Sequence, residues 1–146
     1  MPALNMRGAS PYEAVRTLVA QQKLATDDQD KSALRVCYAR SVHQELVVNG
    51  GAPLVFDGID DVMAVATLPW AAGKKHVHHV GSLTVSELPD GRMRARCYCL
   101  YVSRTPGRHD VLGYGDYDDE CVFEDGAWKI ASRKATICLV NLEIRQ

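Results

Sequence analysis

The fold of this chain is decided by a stretch in its last third, residues 111–130, whose sequence is VLGYGDYDDECVFEDGAWKI. Small or apolar residues alternate there with polar ones, which is the period-two pattern of a half-buried β-strand. Asp125-Gly126 is a dipeptide typical of tight hairpin turns, and a further strand-like run follows it. The stretch therefore predicts two long antiparallel strands, over residues 111–123 and 127–142.

Two more strands are predicted upstream of this hairpin. Residues 76–88 and 92–103 flank Pro89-Asp90-Gly91, which is a turn sequence. A polar loop at residues 105–109 then leads into the hairpin. Four strands that follow one another through short turns predict an antiparallel meander.

The beginning of the chain has a helical period. Ser10 is placed to cap a helix that begins at Pro11, and Glu13 can complete a capping box. The stripe that this helix would bury runs as far as Ala25 and consists of Val15, Leu18, Val19 and Gln22. After the polar segment 26–30, a short second helix is predicted to carry Leu34, Cys37 and Tyr38.

A hairpin and a third helix follow. Residues 45–48 and 53–56 flank Asn49-Gly50-Gly51, which favours a tight turn. Residues 59–72 return to a helical period, and Gly73 supplies the stop. The order α, α, β, β, α and then four strands predicts an α+β fold, in which a curved, mostly antiparallel sheet wraps around the N-terminal helices. With 146 residues we expect one domain over residues 1–146, with a core from about residue 10 to residue 142.

Composition argues against several classes of partner and location. The formal net charge of -1 gives no electrostatic reason to expect nucleic acid or an anionic membrane surface. The apolar runs are too short to span a membrane, and the N-terminus lacks the apolar stretch of a secretory signal. The five cysteines are odd in number and show no C-x-x-C spacing, which indicates buried free thiols in a reducing cytoplasm.

Three local strings give a family resemblance. The first is Asp27-Asp28-Gln29-Asp30 with Leu34 and Tyr38-Ala39, the second is His78-His79-Val80-Gly81-Ser82, and the third is Tyr117-Asp118-Asp119-Glu120 followed by residues 125–130 and Arg133. In this order they resemble the SnoaL-like branch of the nuclear-transport-factor-2-like superfamily, over about residues 12–136. The resemblance implies a cone-shaped α+β barrel with a deep apolar pocket.

The resemblance also implies a catalytic pair. Dehydratase and dehydrochlorinase members of the family carry an Asp–His dyad, matched here by Asp27 and His78, and they catalyse elimination from a hydrophobic molecule without a cofactor. Two positions depart from their pattern. Gln22 stands where the dehydratases have tyrosine and the dehydrochlorinase has lysine, and Ser82 stands where asparagine is frequent. The groups that would assist a leaving group therefore differ, and the reaction type stays open.

Elementary chemistry favours the same pair. An imidazole titrates near neutral pH, and a carboxylate beside it fixes the ring tautomer and stabilises the imidazolium. The residues alone leave a second interpretation open, because His78 could equally be a hydrogen-bonded core histidine and Asp27 a helix cap.

The strand that carries His78 has two distinct faces. Its more polar face holds His76, His78, Ser82 and Thr84, and its more apolar face holds Val77, His79, Leu83 and Val85. A pocket wall and a solvent face would both give this pattern, and a bulge at Gly81 would change the parity beyond it. The paired histidines also fit a metal site, but the third ligand would have to be His109, so we expect neither a metal nor a cofactor.

Further candidates lie on the last two strands. Asp119 shares a face with an otherwise inward set, namely Gly113, Gly115, Tyr117, Cys121 and Phe123. Asp119 and Tyr117 are therefore expected to reach the pocket. Asp119 could instead pair with Arg133, and Arg133 could contact the substrate or serve only that ion pair. Tyr38, Gln22 and Ser82 complete the set of expected substrate-binding residues.

The sheet surface carries two further patterns. Arg92, Arg94 and Arg96 alternate on one strand face, which indicates a solvated or subunit-contacting surface. Leu83 and Val85, with Tyr98, Leu100 and Val102 on the next strand, would leave the outer face too apolar for a lone domain. We therefore expect a homo-oligomer, and the dehydratase resemblance favours a trimer over a dimer.

The sequence thus predicts a cofactor-independent lyase or isomerase that acts on a hydrophobic cyclic, polyketide- or steroid-like molecule, with His78 as the base and Asp27 as its orienter. Two alternatives belong to other classes. One is a non-catalytic module of the same fold that binds a small molecule or a partner. The other is a protein like the β subunit of ring-hydroxylating dioxygenases. Hydrogen-bond contact between Asp27 and His78 inside a closed pocket separates the first interpretation from these two.

Overall fold

The computed structural model describes residues 8–104, 106–107 and 110–140. The α+β order is the predicted one, and none of the helices in these ranges is long and apolar enough to cross a membrane. In chain order the elements are α1 (Pro11–Asp27), α2 (Lys31–Arg35), β1 (Tyr38–Val48), β2 (Leu54–Asp57), α3 (Ile59–Ala71), β3 (His76–Glu87), β4 (Met93–Ser103), β5 (Val111–Glu124) and β6 (Ala127–Leu139).

The strands of the described residues form one curved, unclosed sheet in the order β2-β1-β6-β5-β4-β3. The meander from β3 to β6 is antiparallel, as predicted, and so is the β1–β2 hairpin. Only β1 and β6 run parallel, which joins the first strand of the described chain to the last. Helix α1 lies across the inner face of the sheet, where it contacts β3, β4 and β6.

The start of α1 follows the predicted capping chemistry. Ser10 accepts a hydrogen bond from the backbone N–H of Glu13, and the Glu13 carboxylate accepts one from the backbone N–H of Ser10. The helix then buries its apolar stripe against the sheet, and full burial of each such side chain contributes about 1.5–3 kcal/mol. The core around this stripe includes Val15, Leu18, Val19, Leu34, Val62, Met93 and Ile130.

The second helix is shorter than the sequence predicts. It ends at Arg35, and Tyr38 begins β1 instead of continuing the helix. Leu34 and Cys37 are three residues apart and both are buried, and this spacing is what predicted a longer helix. The strand forms because the Cys37 carbonyl accepts a hydrogen bond from the Ile130 N–H at 2.8 Å, which starts the pairing with β6.

A bulge in β3 changes which residues face the core. The register with β4 shifts between Gly81 and Thr84, and Ser82 has a φ of 52°. The bulge considered at Gly81 is therefore confirmed. Beyond it the parity reverses, so Leu83 and Val85 pack against the core and do not belong to the outer face, contrary to the prediction.

The outer face of the sheet carries a ladder of ion pairs. Arg92, just before β4, and Arg94 and Arg96 of β4 bind acidic residues of β5 diagonally, as the pairs Arg92–Glu120, Arg94–Asp118 and Arg96–Asp116. The arginine stripe is therefore a surface-exposed, internally neutralised face. One residue of the inward set on β5 also departs from the prediction, because Phe123 lies beyond the last core position of that strand and is 65% exposed.

Two glycines of β5 make room on the inner face. A Cβ on Gly113 would collide with the backbone oxygen of Cys138 and lie 2.9 Å from the Leu139 Cα. A Cβ on Gly115 would collide with the Tyr101 hydroxyl. Gly113 therefore allows close approach of two backbones, and Gly115 allows a phenol to lie against the strand.

We expect Gly113→Ala to lower the free energy of unfolding by about 1–3 kcal/mol, because neither backbone can move away without breaking the sheet. Urea unfolding followed by circular dichroism would measure the loss. Gly81→Ala is the matched control, since nothing lies within 4 Å of a Cβ there. Equal stability of the two variants would contradict this account of Gly113.

Candidate active site

The site is organised by the last residue of α1. Asp27 directs its carboxylate at β3, where Oδ1 lies 2.5 Å from His78 Nδ1 and Oδ2 accepts the His78 backbone N–H at 2.9 Å. Both side chains are largely buried, with exposed fractions of 8% for Asp27 and 13% for His78. One carboxylate thus fixes both the main chain and the ring of the same histidine.

This contact determines the tautomer of the imidazole. An ionised carboxylate can only accept hydrogen bonds, so the Nδ1 atom of His78 must carry the hydrogen. The lone pair of the neutral ring is then on Nε2, to which no described residue forms a hydrogen bond. Asp27 therefore leaves His78 with one nitrogen able to accept a proton.

The surroundings of His78 favour its neutral form. Burial lowers its pKa below the usual 6.5, and the positive charges of Lys23 and Arg133 lower it further. The hydrogen bond and the charge of Asp27 act in the opposite direction. The net lowering means that His78 is a neutral imidazole at pH 7, which is the form required of a general base.

Two phenols lie beside the dyad. The Tyr101 ring meets the His78 ring edge-on, with centroids 5.0 Å apart, and the Tyr101 and Tyr117 hydroxyls hydrogen-bond to each other. Burial raises the pKa of both phenols above the usual 10, so both remain protonated donors at neutral pH. Tyr117 thus lies in the interior as predicted from its strand face, whereas Tyr101 was not among the predicted site residues.

A buried polar group forms the wall behind the phenols. Arg133 donates two hydrogen bonds to Asp119, at 2.7 and 2.8 Å, with both side chains almost fully buried. Gln22 accepts a bond from Arg133 at 3.4 Å and donates one to the Tyr38 hydroxyl at 3.0 Å. The sequence left two roles open for Asp119, a pocket residue or the partner of Arg133. The structure shows the ion pair with Arg133.

Lys23 is a buried residue of this interior that the sequence pattern did not single out. It is 4% exposed, and its ammonium lies 3.6 Å from the centre of the Tyr117 ring. Burial lowers its pKa from 10.5 to about 8, and the charge of Arg133 acts in the same direction. Its position four residues after Val19 continues the buried stripe of α1, and that spacing was the available signal.

The structure brings most of the predicted residues together and leaves one apart. Seven lie in the interior, namely Asp27, His78, Gln22, Tyr38, Tyr117, Asp119 and Arg133. Ser82 lies in the bulge of β3 and does not join them. The bulge explains this, because it turns Ser82 out of the alternation that keeps His76 and His78 on the inner side.

The three histidines of β3 do not converge. His76 and His78 are partly buried on the inner side of β3, while His79 is exposed on the other. No group of three histidine, cysteine or acidic side chains among the described residues is arranged to hold a metal ion. The third ligand considered from sequence, His109, lies outside the described residues.

Two adjoining cavities lead to the dyad. The inner cavity has a volume of about 90 Å³ and is lined by Thr26, Asp27, Gln29, Ala66, Pro69, Trp70, Lys74, His76 and His78. The outer cleft has a volume of about 980 Å³ and shares Pro69, Lys74 and His76 with the inner cavity. The inner cavity holds only about three water volumes, so it can admit the reacting part of a ligand while the rest lies in the outer cleft.

Solved structures show the class of fold to which this chain belongs. An NTF2-like protein with a cystatin-like fold from Novosphingobium aromaticivorans is 20% identical, with a TM-score of 0.69 over 89% of this chain and 82% of that one. Aln2 from a Streptomyces species is 23% identical, with a TM-score of 0.73 over 93% of this chain and 96% of that one. A protein described as the beta subunit of a putative aromatic-ring-hydroxylating dioxygenase from N. aromaticivorans is 14% identical, with a TM-score of 0.73 over 89% and 90%. These likenesses establish the NTF2-like fold.

The family is established by the sequence itself. The SnoaL-like domain matches residues 8–134, so this chain belongs to the SnoaL-like family. The resemblance carried by the three sequence strings is confirmed. No curated protein matches the chain.

Lys23 should make stability depend on pH. The unfolded chain holds the Lys23 proton up to about pH 10.5, whereas the folded protein releases it near pH 8. Stability should therefore rise between these two values. At pH 7, Lys23→Met should raise the free energy of unfolding by up to about 3 kcal/mol, because folding no longer desolvates an ammonium.

Urea unfolding at pH 7, 8, 9 and 10 would test this, with the difference between wild type and variant isolating Lys23 from other groups that titrate. Lys31→Met, at an exposed lysine of α2, is the matched control and should follow the wild-type pH dependence. A Lys23→Met curve that parallels the wild type would show that this ammonium is not desolvated by folding.

Proposed function

We propose that this protein is a cofactor-independent lyase or isomerase that removes a proton from a hydrophobic small molecule. The observation that carries the proposal is the hydrogen bond of 2.5 Å between Asp27 Oδ1 and His78 Nδ1, in a buried pair beside a cavity. A neutral imidazole with a free Nε2 and an orienting carboxylate supplies a general base without a metal or cofactor.

In the proposed step, Nε2 of His78 takes a proton from a carbon next to a carbonyl or other activating group. The electron pair of that C–H bond moves toward the activating group, and Asp27 stabilises the imidazolium that forms. In a lyase the pair then expels a leaving group from the neighbouring carbon. In an isomerase the proton returns from His78 at another carbon of the same molecule.

Tyr101 is the phenol best placed to assist this step. It adjoins His78, and its hydroxyl is a protonated donor, whereas Gln22 at the position of the dehydratase tyrosine is bonded to Tyr38. A phenol can donate a hydrogen bond to a developing oxyanion or leaving group, which an amide does less effectively. Tyr117, Tyr38, Gln22 and the Arg133–Asp119 pair are buried behind Tyr101 and line neither cavity, so their proposed role is to hold Tyr101 and the dyad in position.

The proposed substrate is a cyclic molecule of polyketide or steroid type, as the family resemblance implies. Ala66, Pro69 and Trp70 of α3 supply apolar surface to the inner cavity. A small polar group at the dyad with apolar walls around it is the usual composition of a small-molecule site. We also propose a cytoplasmic location, since all five cysteines are free and a reducing compartment keeps thiols in that state.

The non-catalytic binding module remains the alternative that the experiment must exclude. The same cavity could hold a ligand without reacting with it. The likeness to a dioxygenase β subunit rests on fold at 14% identity, so it adds no functional argument for that role.

We expect His78→Ala to lower the turnover by about a hundredfold or more, because it removes the base. Asp27→Asn should be similarly severe, since an amide can hold the wrong tautomer and cannot stabilise the imidazolium. Tyr101→Phe should lower the turnover less, by about tenfold. The assay is hydrogen–deuterium exchange of carbon-bound hydrogen in a panel of cyclic ketones and hydroxyketones, followed by mass spectrometry.

The chain offers a matched control for the dyad. His43 and Asp57 form a second histidine–aspartate pair with the same Nδ1–Oδ1 distance of 2.5 Å, but on the exposed outer face. His43→Ala should leave exchange at the wild-type rate. Near-wild-type exchange by His78→Ala would rule out His78 as the base, and wild-type exchange no faster than the protein-free rate would assign the protein to the binding-module class.

We further propose that the protein is a homo-oligomer assembled through the outer face of the sheet. Apolar side chains at least 37% exposed lie there, namely Val77, Tyr98, Leu100 and Tyr114. An apolar surface of this kind is normally covered by another subunit. The resemblance to the family's dehydratases favours a trimer over a dimer for this protein.

Light scattering at micromolar concentration should give a mass of more than one chain for the wild type, and Leu100→Asp should shift it toward the monomer. Thr84→Asp, at an exposed polar position of the same face, is the control for added charge. A monomeric wild type would refute the proposal.

A further inference from the structure

The outer cleft differs in charge from the rest of the protein. Three basic side chains lie on its lining and are exposed, those of Lys74, Lys75 and Arg104. Asp110 is the one acidic residue among the described residues of the lining, and it is not free. The cleft is therefore positive in a chain whose formal net charge is -1.

These three cations are not neutralised by acidic partners. None of the ion pairs between described residues involves Lys74, Lys75 or Arg104. Four acidic residues of β5 are committed elsewhere, Asp116, Asp118 and Glu120 to Arg96, Arg94 and Arg92, and Asp119 to Arg133. Eight lysines and arginines of the described residues have no ion pair among those residues, and three of them lie together at the cleft; the other five are Arg16, Lys23, Lys31, Lys129 and Lys134. A cleft focuses the field of such a cluster on a bound ligand.

The backbone that carries the cations is fixed. The Lys74 N–H donates to the Pro69 carbonyl at 3.0 Å, and the Gln29 side chain donates to the Lys74 carbonyl at 3.0 Å. The Arg104 N–H donates to the Lys75 carbonyl at 2.9 Å, which holds the ends of β3 and β4 together. The positive group is therefore part of the framework of the cleft.

The floor of the cleft is apolar and leads toward the dyad. Its apolar lining includes Pro69, Leu112, Leu139 and Val140. His76 borders both cavities, and His78 lies two residues further along the same strand. Lys75 directly precedes β3 and is three residues from His78, which for extended backbone is a Cα–Cα separation of roughly 10 Å.

From this arrangement we infer that the ligand is an amphipathic anion, an apolar ring system that carries one carboxylate, sulfonate or phosphate. The anionic group binds at Lys74, Lys75 and Arg104, and the carbon that meets His78 lies toward the other end of the molecule. The inference rests on the proposed function in taking the Asp27–His78 end as the reacting end. It narrows the substrate class to molecules whose charge is remote from the reacting carbon.

Two fluorescent probes of nearly equal shape test this. Anilinonaphthalene sulfonate carries the anion, and phenylnaphthylamine is the same ring system without it. At low ionic strength anilinonaphthalene sulfonate should bind the full-length protein at least about tenfold more tightly than phenylnaphthylamine does. One molar salt should remove most of the difference, because it shortens the screening length to about 3 Å.

Charge-removing variants locate the effect. Lys75→Gln and Arg104→Gln should each lower the affinity for the sulfonate about threefold, and the double variant should lower it about tenfold. The affinity for phenylnaphthylamine should stay unchanged. Lys134→Gln removes the same charge from an exposed position of β6 and should have no effect on either probe. Far-ultraviolet circular dichroism would show that the variants remain folded.

The outcomes separate this inference from the proposed function. Equal affinity for the two probes, or equal effects of Lys75→Gln and Lys134→Gln, would overturn the inference whatever His78 does. His78→Ala should keep the preference for the sulfonate. Loss of that preference in His78→Ala would place the sulfonate at the dyad and also overturn the inference. Retained preference with no catalysed exchange would leave the anion site standing and count against the proposed function alone.

Discussion

The carboxylate of Asp27 is the group on which the site depends. It lies at the C-terminal end of a helix, where the helix dipole disfavours negative charge, and it is largely removed from water. Its two hydrogen bonds to His78 offset both costs. The same two bonds set the position of the helix end against β3 and the tautomer of the imidazole, so the packing of α1 and the orientation of the base cannot change independently.

The interior behind this contact is polar but internally satisfied. Among the described residues, every fully buried side-chain nitrogen or oxygen has a hydrogen-bond partner. Arg133 is neutralised by Asp119, whereas Lys23 has the face of an aromatic ring beside it. Both cations lower the pKa of His78, and positive charge fixed near a base also favours negative charge that develops on a substrate. An environment that keeps the base neutral is therefore suited to an anionic intermediate as well.

Local patterns predicted the helices and the meander, because capping, turn residues and strand periodicity are encoded over a few residues. The dyad joins residues 51 positions apart, and the family resemblance was what paired them. The departures arise from long-range contacts. Tyr38 joins a strand because β6 offers it hydrogen bonds, and nothing near Tyr38 in sequence records that partner. Ser82 leaves the site because a bulge reverses the parity of β3. Lys23 was missed because a lysine in a helix normally lies on the protein surface. The Tyr117 ring that its ammonium contacts explains why this one is buried.

The parallel pairing of β1 with β6 has a consequence for how the chain is made. The ribosome releases β1 long before residues 127–139, so its open edge has no partner on that side until the last strand emerges. Pairing over so many residues is slow, and an unpaired strand edge is a template for association between chains. Helix α1 can form early, but the sheet is completed only after nearly all of the chain has left the ribosome. The yield of native protein in a cell is therefore expected to depend on chaperones or slow synthesis during that interval.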